Sequence, residues 1–320
     1  MTVKEKILTS IHPVIEGSKY VGVDLEKVKD LSQKIKNIDI PRWNNDLQLL
    51  ASDEDTVQYY FIVDSIQGCS WPAKGKDRWF FQKGSDWIKG YYAFAYAVKQ
   101  AALNDKKYLD AKYLSEIDFQ DFCEIFKGKG ELQLMPQRHE ALKQNFAILK
   151  GNYDGLAAKL VKSAGRDVNA LVYKIVSEFP SFDDKAVYEG QEVYFWKRAQ
   201  IFPNDIHFAL GGIGLGDFRN MGDLAVFADY KLPQLLEAEG ILKYKDQLLH
   251  KIKNKELLPS GSVEEVEIRA NTIYASELLA NELRKLGRDL ISQTIDWILW
   301  NLSQKVEFAL PHHHTPTIFY

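Results

Sequence analysis

Three apolar stripes of helical period follow one another at residues 138–149, 156–164 and 168–176, punctuated by Gly151, Gly155 and Gly165. A strand cannot hold such a stripe on one face, because its side chains alternate with a period of two. The same period recurs at 24–38, where Asp24 stands in the cap position and Leu25, Val28, Leu31 and Ile35 align. It recurs again at 263–286 and 290–302, and residues 91–103 are apolar nearly all round, the pattern of a centrally buried helix. The clearest strand candidate is 57–63, VQYYFIV, rich in aromatic and β-branched residues. The expected fold class is therefore mainly α, with at most a small β element.

A chain of 320 residues can bury a sizeable core, and 46% apolar with 27% charged residues is the balance of a globular protein. No repeat or low-complexity linker divides it. The best internal boundary, at 128–130, is weak, so we expect a single mostly helical domain over 1–320, with two lobes flanking a cleft as the alternative. The net charge of -3, without a long basic run, argues against a nucleic-acid polymer as partner. Cys69 and Cys123 have no CxxC neighbour, which fits neither a disulfide framework nor a zinc cluster and suits a reducing cytoplasm. The charged N-terminus lacks the apolar core of a signal peptide, and the apolar run 91–98 is too short for a bilayer. A cytoplasmic protein with no membrane partner is expected.

The chemistry concentrates in 195–236, FWKRAQIFPNDIHFALGGIGLGDFRNMGDLAVFADYKLPQLL. This helix-turn-helix pattern carries Lys197, a hairpin with Gly211, Gly212, Gly214 and Gly216, and Asp229. A lysine and a lone carboxylate beside such a hairpin suit cleavage of an N-glycosidic bond, which breaks through an oxocarbenium-like sugar that a fixed carboxylate stabilises. Asp223 or Asn220 would cap the second helix, with Leu224, Phe227 and Ala228 as its apolar stripe. At 3.6 residues per turn Asp229 then points roughly 140° from Leu224. There it is either a solvated acid or a cleft carboxylate. Pro233 would kink or restart that helix. Lys197 is either a snorkelling surface residue or a desolvated group that needs an acidic partner and could hold Asp229.

Asp64 could accept hydrogen bonds from the edge of a guanine-like base, or simply form a turn before Ser65. Phe61 or Trp71 could stack on that base. Arg198 and the terminal PHHHTPTIFY, with His312, His313 and Tyr320, are candidates for a phosphate, unless the tail is merely packed or frayed. Adjacent histidines rarely converge on one ion, so no metal is expected. There is no GxSxG elbow, HExxH helix, P-loop or dinucleotide fingerprint.

Taken in order, the short motifs resemble the queuosine salvage proteins, the queuosine 5'-phosphate N-glycosylase/hydrolases. They are Val63-Asp64-Ser65 with Trp71, Gly90-Tyr91, Phe179-Pro180-Ser181-Phe182, Lys197-Arg198-Ala199-Gln200 and Gly216-Asp217-Phe218. Phe227-Ala228-Asp229-Tyr230 with Pro233-Gln234, Glu267-Ile268-Arg269-Ala270, and His312-His313 with Tyr320 follow. The resemblance covers nearly all of the chain from about Val57 onward. It implies hydrolysis of queuosine 5'-monophosphate to queuine and ribose 5-phosphate, salvaging the base for tRNA modification. It also implies a helix-hairpin-helix DNA-glycosylase-like architecture adapted to a free nucleotide, with no metal or organic cofactor. On the family pattern Asp229 is the catalytic carboxylate and Lys197 its companion. Asp64, Phe61, Ser65, Trp71, Arg198, Asp217, His312, His313 and Tyr320 are then the substrate-binding set. The segment Ile66-Gln67-Gly68-Cys69-Ser70 departs from the family's asparagine-phenylalanine pattern, and His314 stands where an arginine is common. Two other readings stay open: a protein that binds queuosine derivatives without turnover, and a glycosylase for another purine-like nucleotide or DNA.

Overall fold

The helical period is realised in fourteen α-helices and six short strands among residues 1–43 and 46–320, those described by the computed structural model. The helices are α1 Val3–Gly17, α2 Leu25–Ile35, α3 Asp53–Ile66, α4 Gly90–Asn104, α5 Ala111–Glu116, α6 Phe119–Ile125 and α7 Met135–Tyr153. They continue as α8 Ala157–Ser163, α9 Val168–Glu178, α10 Lys197–Ala209, α11 Lys231–Ala238, α12 Asp246–Lys253, α13 Val263–Lys285 and α14 Ser292–Ser303. The strands are β1 Val21–Val23, β2 Phe81–Lys83, β3 Asp86–Ile88, β4 Lys185–Tyr188, β5 Gln191–Tyr194 and β6 Leu242–Tyr244, in three antiparallel pairs. The fold is mainly α. No helix among the described residues is long and apolar enough to cross a membrane.

The chain divides into two compact units. The first comprises Met1–Arg42, Asp184–Gln200 and Asn220–Pro316. Its axis is α13, which packs against α1, α2 and α14. Val266, Ile268, Ile273 and Leu279 are fully buried there, and Glu265, Glu267 and Arg269 are buried beside them. Buried charges need partners. The Glu267 carboxylate takes the backbone N–H groups of Lys19 (2.9 Å), Tyr20 (2.7 Å) and Val21 (3.2 Å). This fixes the chain's entry into β1, which pairs Val21 with Tyr244 and Val23 with Leu242 of β6. β4 and β5 form a hairpin closed by Glu189 and Gly190, both at positive φ (50° and 82°), as a two-residue turn of primed type requires. In α2, Asp24 caps as expected, through the N–H groups of Glu26 and Lys27. Val28, Leu31 and Ile35 are buried, while Leu25 lies exposed.

The second unit comprises Trp43–Asp183, Ile201–Arg219 and Thr317–Tyr320. Here one expectation fails: VQYYFIV is not a strand but the body of α3. Ser52 caps that helix through the Asp55 N–H, and Asp53, Glu54 and Asp55 fill its first turn, complementing the helix dipole. Residues 56–66 are all buried, so the segment is apolar on every side because α4, α7 and α8 pack against it. Burial of that kind overrides the modest β-propensity of valine, tyrosine and phenylalanine. Helix α4 is buried through Phe94, Ala95, Ala97 and Val98, although Leu103 at its end is exposed. Residues 128–130 lie inside this unit, where Lys129 and Phe80 exchange two backbone hydrogen bonds (2.7 and 2.9 Å).

The loop leaving α3 is held by Arg138, whose fully buried guanidinium donates to the carbonyls of Ile66, Gly68 (2.6 Å) and Gln133 (2.8 Å). The Cys69 N–H then donates to the Tyr320 carbonyl at 2.8 Å. Gly68 permits this approach: its φ is +132°, and an added Cβ would lie 2.7 Å from the Tyr320 carbonyl carbon. Gly68→Ala should therefore destabilise the fold by about 1–3 kcal/mol through strain and displacement of this segment. Chemical denaturation would measure it, and an unchanged midpoint would count against the close approach.

Candidate functional site

Asp229 does not sit within a helix, as its sequence context suggests. After a 3-10 turn at Met221–Asp223 the chain leaves Leu224 in an extended conformation and runs buried and without regular secondary structure through Ala225, Val226, Phe227 and Ala228. Its backbone is satisfied by side chains rather than by a helix. Gln200 Oε1 accepts the Ala225 N–H (2.9 Å), and Asp296 Oδ1 accepts the Phe227 N–H (2.8 Å). The residues taken for an apolar helical stripe are thus buried in a segment that is not helical. The helix begins only at Lys231, and Asp229 is its cap. One carboxylate oxygen, Oδ1, accepts the N–H groups of Lys231 (2.7 Å) and Leu232 (3.0 Å). Pro233 falls in the first turn of α11, where its missing N–H costs nothing. The other oxygen, Oδ2, takes no hydrogen bond from any described residue. The side chain is 8% exposed, so a half-satisfied carboxylate is held rigidly, close to burial and against the positive end of a helix.

Lys197 opens α10 and is buried, not snorkelling. The turn before it is unusual, because Trp196 adopts φ 48°, the left-handed region that non-glycine residues seldom occupy. Asp184 stabilises that turn. Its carbonyl accepts the N–H groups of Phe195 and Trp196, both at 3.0 Å, and its Oδ2 accepts that of Lys197 at 3.4 Å. The Asp184 carboxylate is in turn paired with Arg269, at 2.9 Å (Nη1–Oδ1) and 2.5 Å (Nη2–Oδ2). Arg269 also donates from Nε to the Ala228 carbonyl (3.2 Å), contacts Glu265 (3.3 Å) and lies 3.9 Å over the Phe195 ring. Sequence reasoning assigned no role to Asp184 or Asp296. Arg269 stood out only as part of a motif.

The terminal histidines are packed, not frayed. The His312 ring lies 4.5 Å from that of Tyr230, the neighbour of Asp229, and its Nδ1 is 2.7 Å from the His313 carbonyl. Gln234 of α11 donates to the Leu310 carbonyl at 2.9 Å. Burial pushes the pKa of His312 well below the usual histidine value. Burial, with the Arg269 guanidinium as the next cause, pushes that of His313 down to about 3. Both rings are therefore held neutral near pH 7. Arg198, beside Lys197, is almost fully buried. The first unit thus contains Asp229, Lys197, Arg198, His312 and His313. Among the described residues, no group of three His, Cys, Asp or Glu side chains is arranged to hold a metal.

The other six predicted site residues lie in the second unit. Asp64 and Ser65 are fully buried in the last turn of α3. Phe61, one turn earlier, is enclosed by Phe146, Phe179, Phe182 and Phe202 at 5.3–5.8 Å between ring centroids. Trp71 is buried, and its carbonyl accepts from Gln133. Asp217 is partly exposed and paired with Arg166, and Tyr320 is buried against Gly68 and Cys69. Nearby polar groups form a chain that the sequence did not suggest. Gln48 Nε2 donates to the Tyr91 hydroxyl (2.9 Å), which donates to Asp205 Oδ2 (3.0 Å). Burial, then the Asp205 carboxylate, raises the Tyr91 pKa well above its ordinary value, so the hydroxyl keeps its proton.

Comparison with known proteins covers nearly the whole chain. The family model described as queuosine salvage protein matches residues 47–320. A protein of Sphaerobacter thermophilus named queuosine 5'-phosphate N-glycosylase/hydrolase is 36% identical, over 98% of this chain and 97% of its own. Proteins of the same name from Mus musculus (30%, over 96% of each chain) and Dictyostelium discoideum (33%, over 83% of this chain and 79% of its own) are also similar.

Proposed function

This chain belongs to the queuosine salvage protein family, and from that premise we propose that it hydrolyses queuosine 5'-monophosphate to queuine and ribose 5-phosphate. The observation that carries the reading is Asp229, with one oxygen fixed by the N-terminus of α11 and the other without a partner among the described residues. A rigid carboxylate of this kind suits a reaction in which positive charge develops on a sugar. Its orientation is set before the substrate arrives, so no reorganisation is needed as the charge appears.

In this mechanism the bond from the sugar's anomeric carbon to the base nitrogen breaks, and its electron pair leaves with the base. Asp229 Oδ2 faces the oxocarbenium-like centre and orients water, whose oxygen forms the new bond to the anomeric carbon. One water proton is passed to Asp229 and ultimately the departing base nitrogen gains a proton, so the products balance the substrate plus one water. Lys197 supplies positive charge or a proton donor to the leaving base. Arg198 offers charge to the 5'-phosphate, and the neutral His312 and His313 offer hydrogen bonds. The partner is a free nucleotide rather than a nucleic-acid polymer, in keeping with the net charge of -3. The two free cysteines fit a reducing cytoplasm. We extend the proposal to a helix-hairpin-helix glycosylase-like ancestry for the segment from α10 to α11.

Incubation of the protein with queuosine 5'-monophosphate, followed by chromatography, should give queuine and ribose 5-phosphate in equal amounts. Tight binding without either product would overturn the reading in favour of a sequestering protein.

A further inference from the structure

We infer that Arg269 is the positioning residue of the proposed reaction, holding Asp229 and Lys197 in register through one guanidinium; the inference rests on the hydrolase reading above. Both catalytic candidates sit where a helix begins, beside segments whose backbone is held by side chains from elsewhere in the chain. Asp229 ends a stretch that pairs with no strand among the described residues, and Lys197 follows a left-handed Trp196. Arg269, from the middle of α13, reaches both. Its Nε–H fixes the Ala228 carbonyl, immediately before Asp229. Its two terminal nitrogens fix the Asp184 carboxylate, which receives the Lys197 N–H, while the Asp184 carbonyl receives those of Phe195 and Trp196. Gln200 makes a second tie between the same two segments, donating to the Phe195 carbonyl and accepting the Ala225 N–H, each at 2.9 Å.

The chemistry of the group matters. Only a planar guanidinium can meet a carboxylate with two parallel hydrogen bonds and still direct a third N–H to a carbonyl. Arg269 and Asp184 are each 2% exposed, so water does not replace a lost contact cheaply. Lysine at position 269 keeps the charge and pairs with Asp184 at one point, leaving the Ala228 carbonyl unheld. A displacement of about 1 Å at a catalytic group costs on the order of 100-fold in rate.

Arg269→Lys is the test, with thermal melting used to choose a temperature at which it is fully folded. The proposal expects kcat on queuosine 5'-monophosphate to fall by about 10- to 100-fold with KM changed by less than about threefold. In an Asp229→Asn background the same substitution should have a smaller effect than in wild type, because the part that acts through Asp229 is already lost. Hydrogen exchange gives an arm independent of turnover. Protection should fall together at the amides of Phe195, Trp196 and Lys197 and at the Asp229-bound amides of Lys231 and Leu232, while the Glu267-bound amides of Lys19 and Tyr20 stay protected. Unchanged kcat in folded Arg269→Lys would overturn the proposal. So would unchanged protection at either segment, or loss of protection spread evenly over the first unit. If the wild-type protein releases no queuine, the hydrolase reading fails, and the exchange pattern alone still decides whether Arg269 couples the two segments.

Discussion

Asp229→Asn is expected to abolish most queuine release, by about 10²–10⁴-fold in kcat, while leaving the fold and substrate binding intact. The separation of effects comes from the two oxygens. Asparagine is as good a helix cap as aspartate, so the hydrogen bonds from Lys231 and Leu232 to position 229 survive the change. What is lost is the negative charge facing the sugar. Asp229→Ala makes the complementary measurement, because it removes the cap as well and should cost a further stability of about 1 kcal/mol. The first variant should melt close to wild type and the second below it, with both nearly inactive. Substantial turnover by folded Asp229→Asn would remove the carboxylate from the mechanism and leave Asp229 as a helix cap alone.

The second large effect is on stability in acid. His313 has its folded pKa depressed to about 3 by burial and by Arg269, and His312 is depressed in the same direction by burial. A histidine that is neutral in the folded protein but free to protonate when unfolded contributes stability above its unfolded pKa, near 6.5. That contribution is lost as pH falls from about 6.5 toward the folded value. Each such histidine costs at most about 1.4 kcal/mol per pH unit across that window, so His313 alone accounts for on the order of 2 kcal/mol between about pH 6.5 and 4.5. Urea unfolding at a series of pH values should show the steep fall. His313→Gln, which cannot protonate, should start less stable at neutral pH but decline more gently. Identical slopes for the two proteins would mean that the tail opens before His313 titrates.

Much of the fold was legible because helical period is a local property. The stripes at 24–38, 138–149 and 263–286 gave α2, α7 and α13 within a few residues, since one-sided burial needs only a repeating pattern and a cap. The two failures share a cause. VQYYFIV has no period, because α3 is covered on all sides, and an apolar run without period looks the same whether it coils or extends. Conversely, 224–228 looked like a helical stripe but is irregular, held by Gln200, Asp296 and Arg269 from elsewhere in the chain. The terminal histidines were ambiguous for the same reason: the packing of His312 on Tyr230 and the charge of Arg269 beside His313 are not written in the tail itself.

The sequence by itself therefore determined the helical class and the absence of a long basic run, and it nominated the residues proposed for the chemistry. Whether those residues can act together was decided by tertiary structure. Asp229 became a fixed, half-satisfied carboxylate only because α11 starts two residues later and Arg269, 41 positions from Ala228, holds the Ala228 carbonyl. The Lys197 N–H is held by an aspartate that meets the same arginine across 85 positions. Hydrogen bonds of such long reach have no spacing or period, so they exist only once the hydrophobic burial of α13 has brought their ends together.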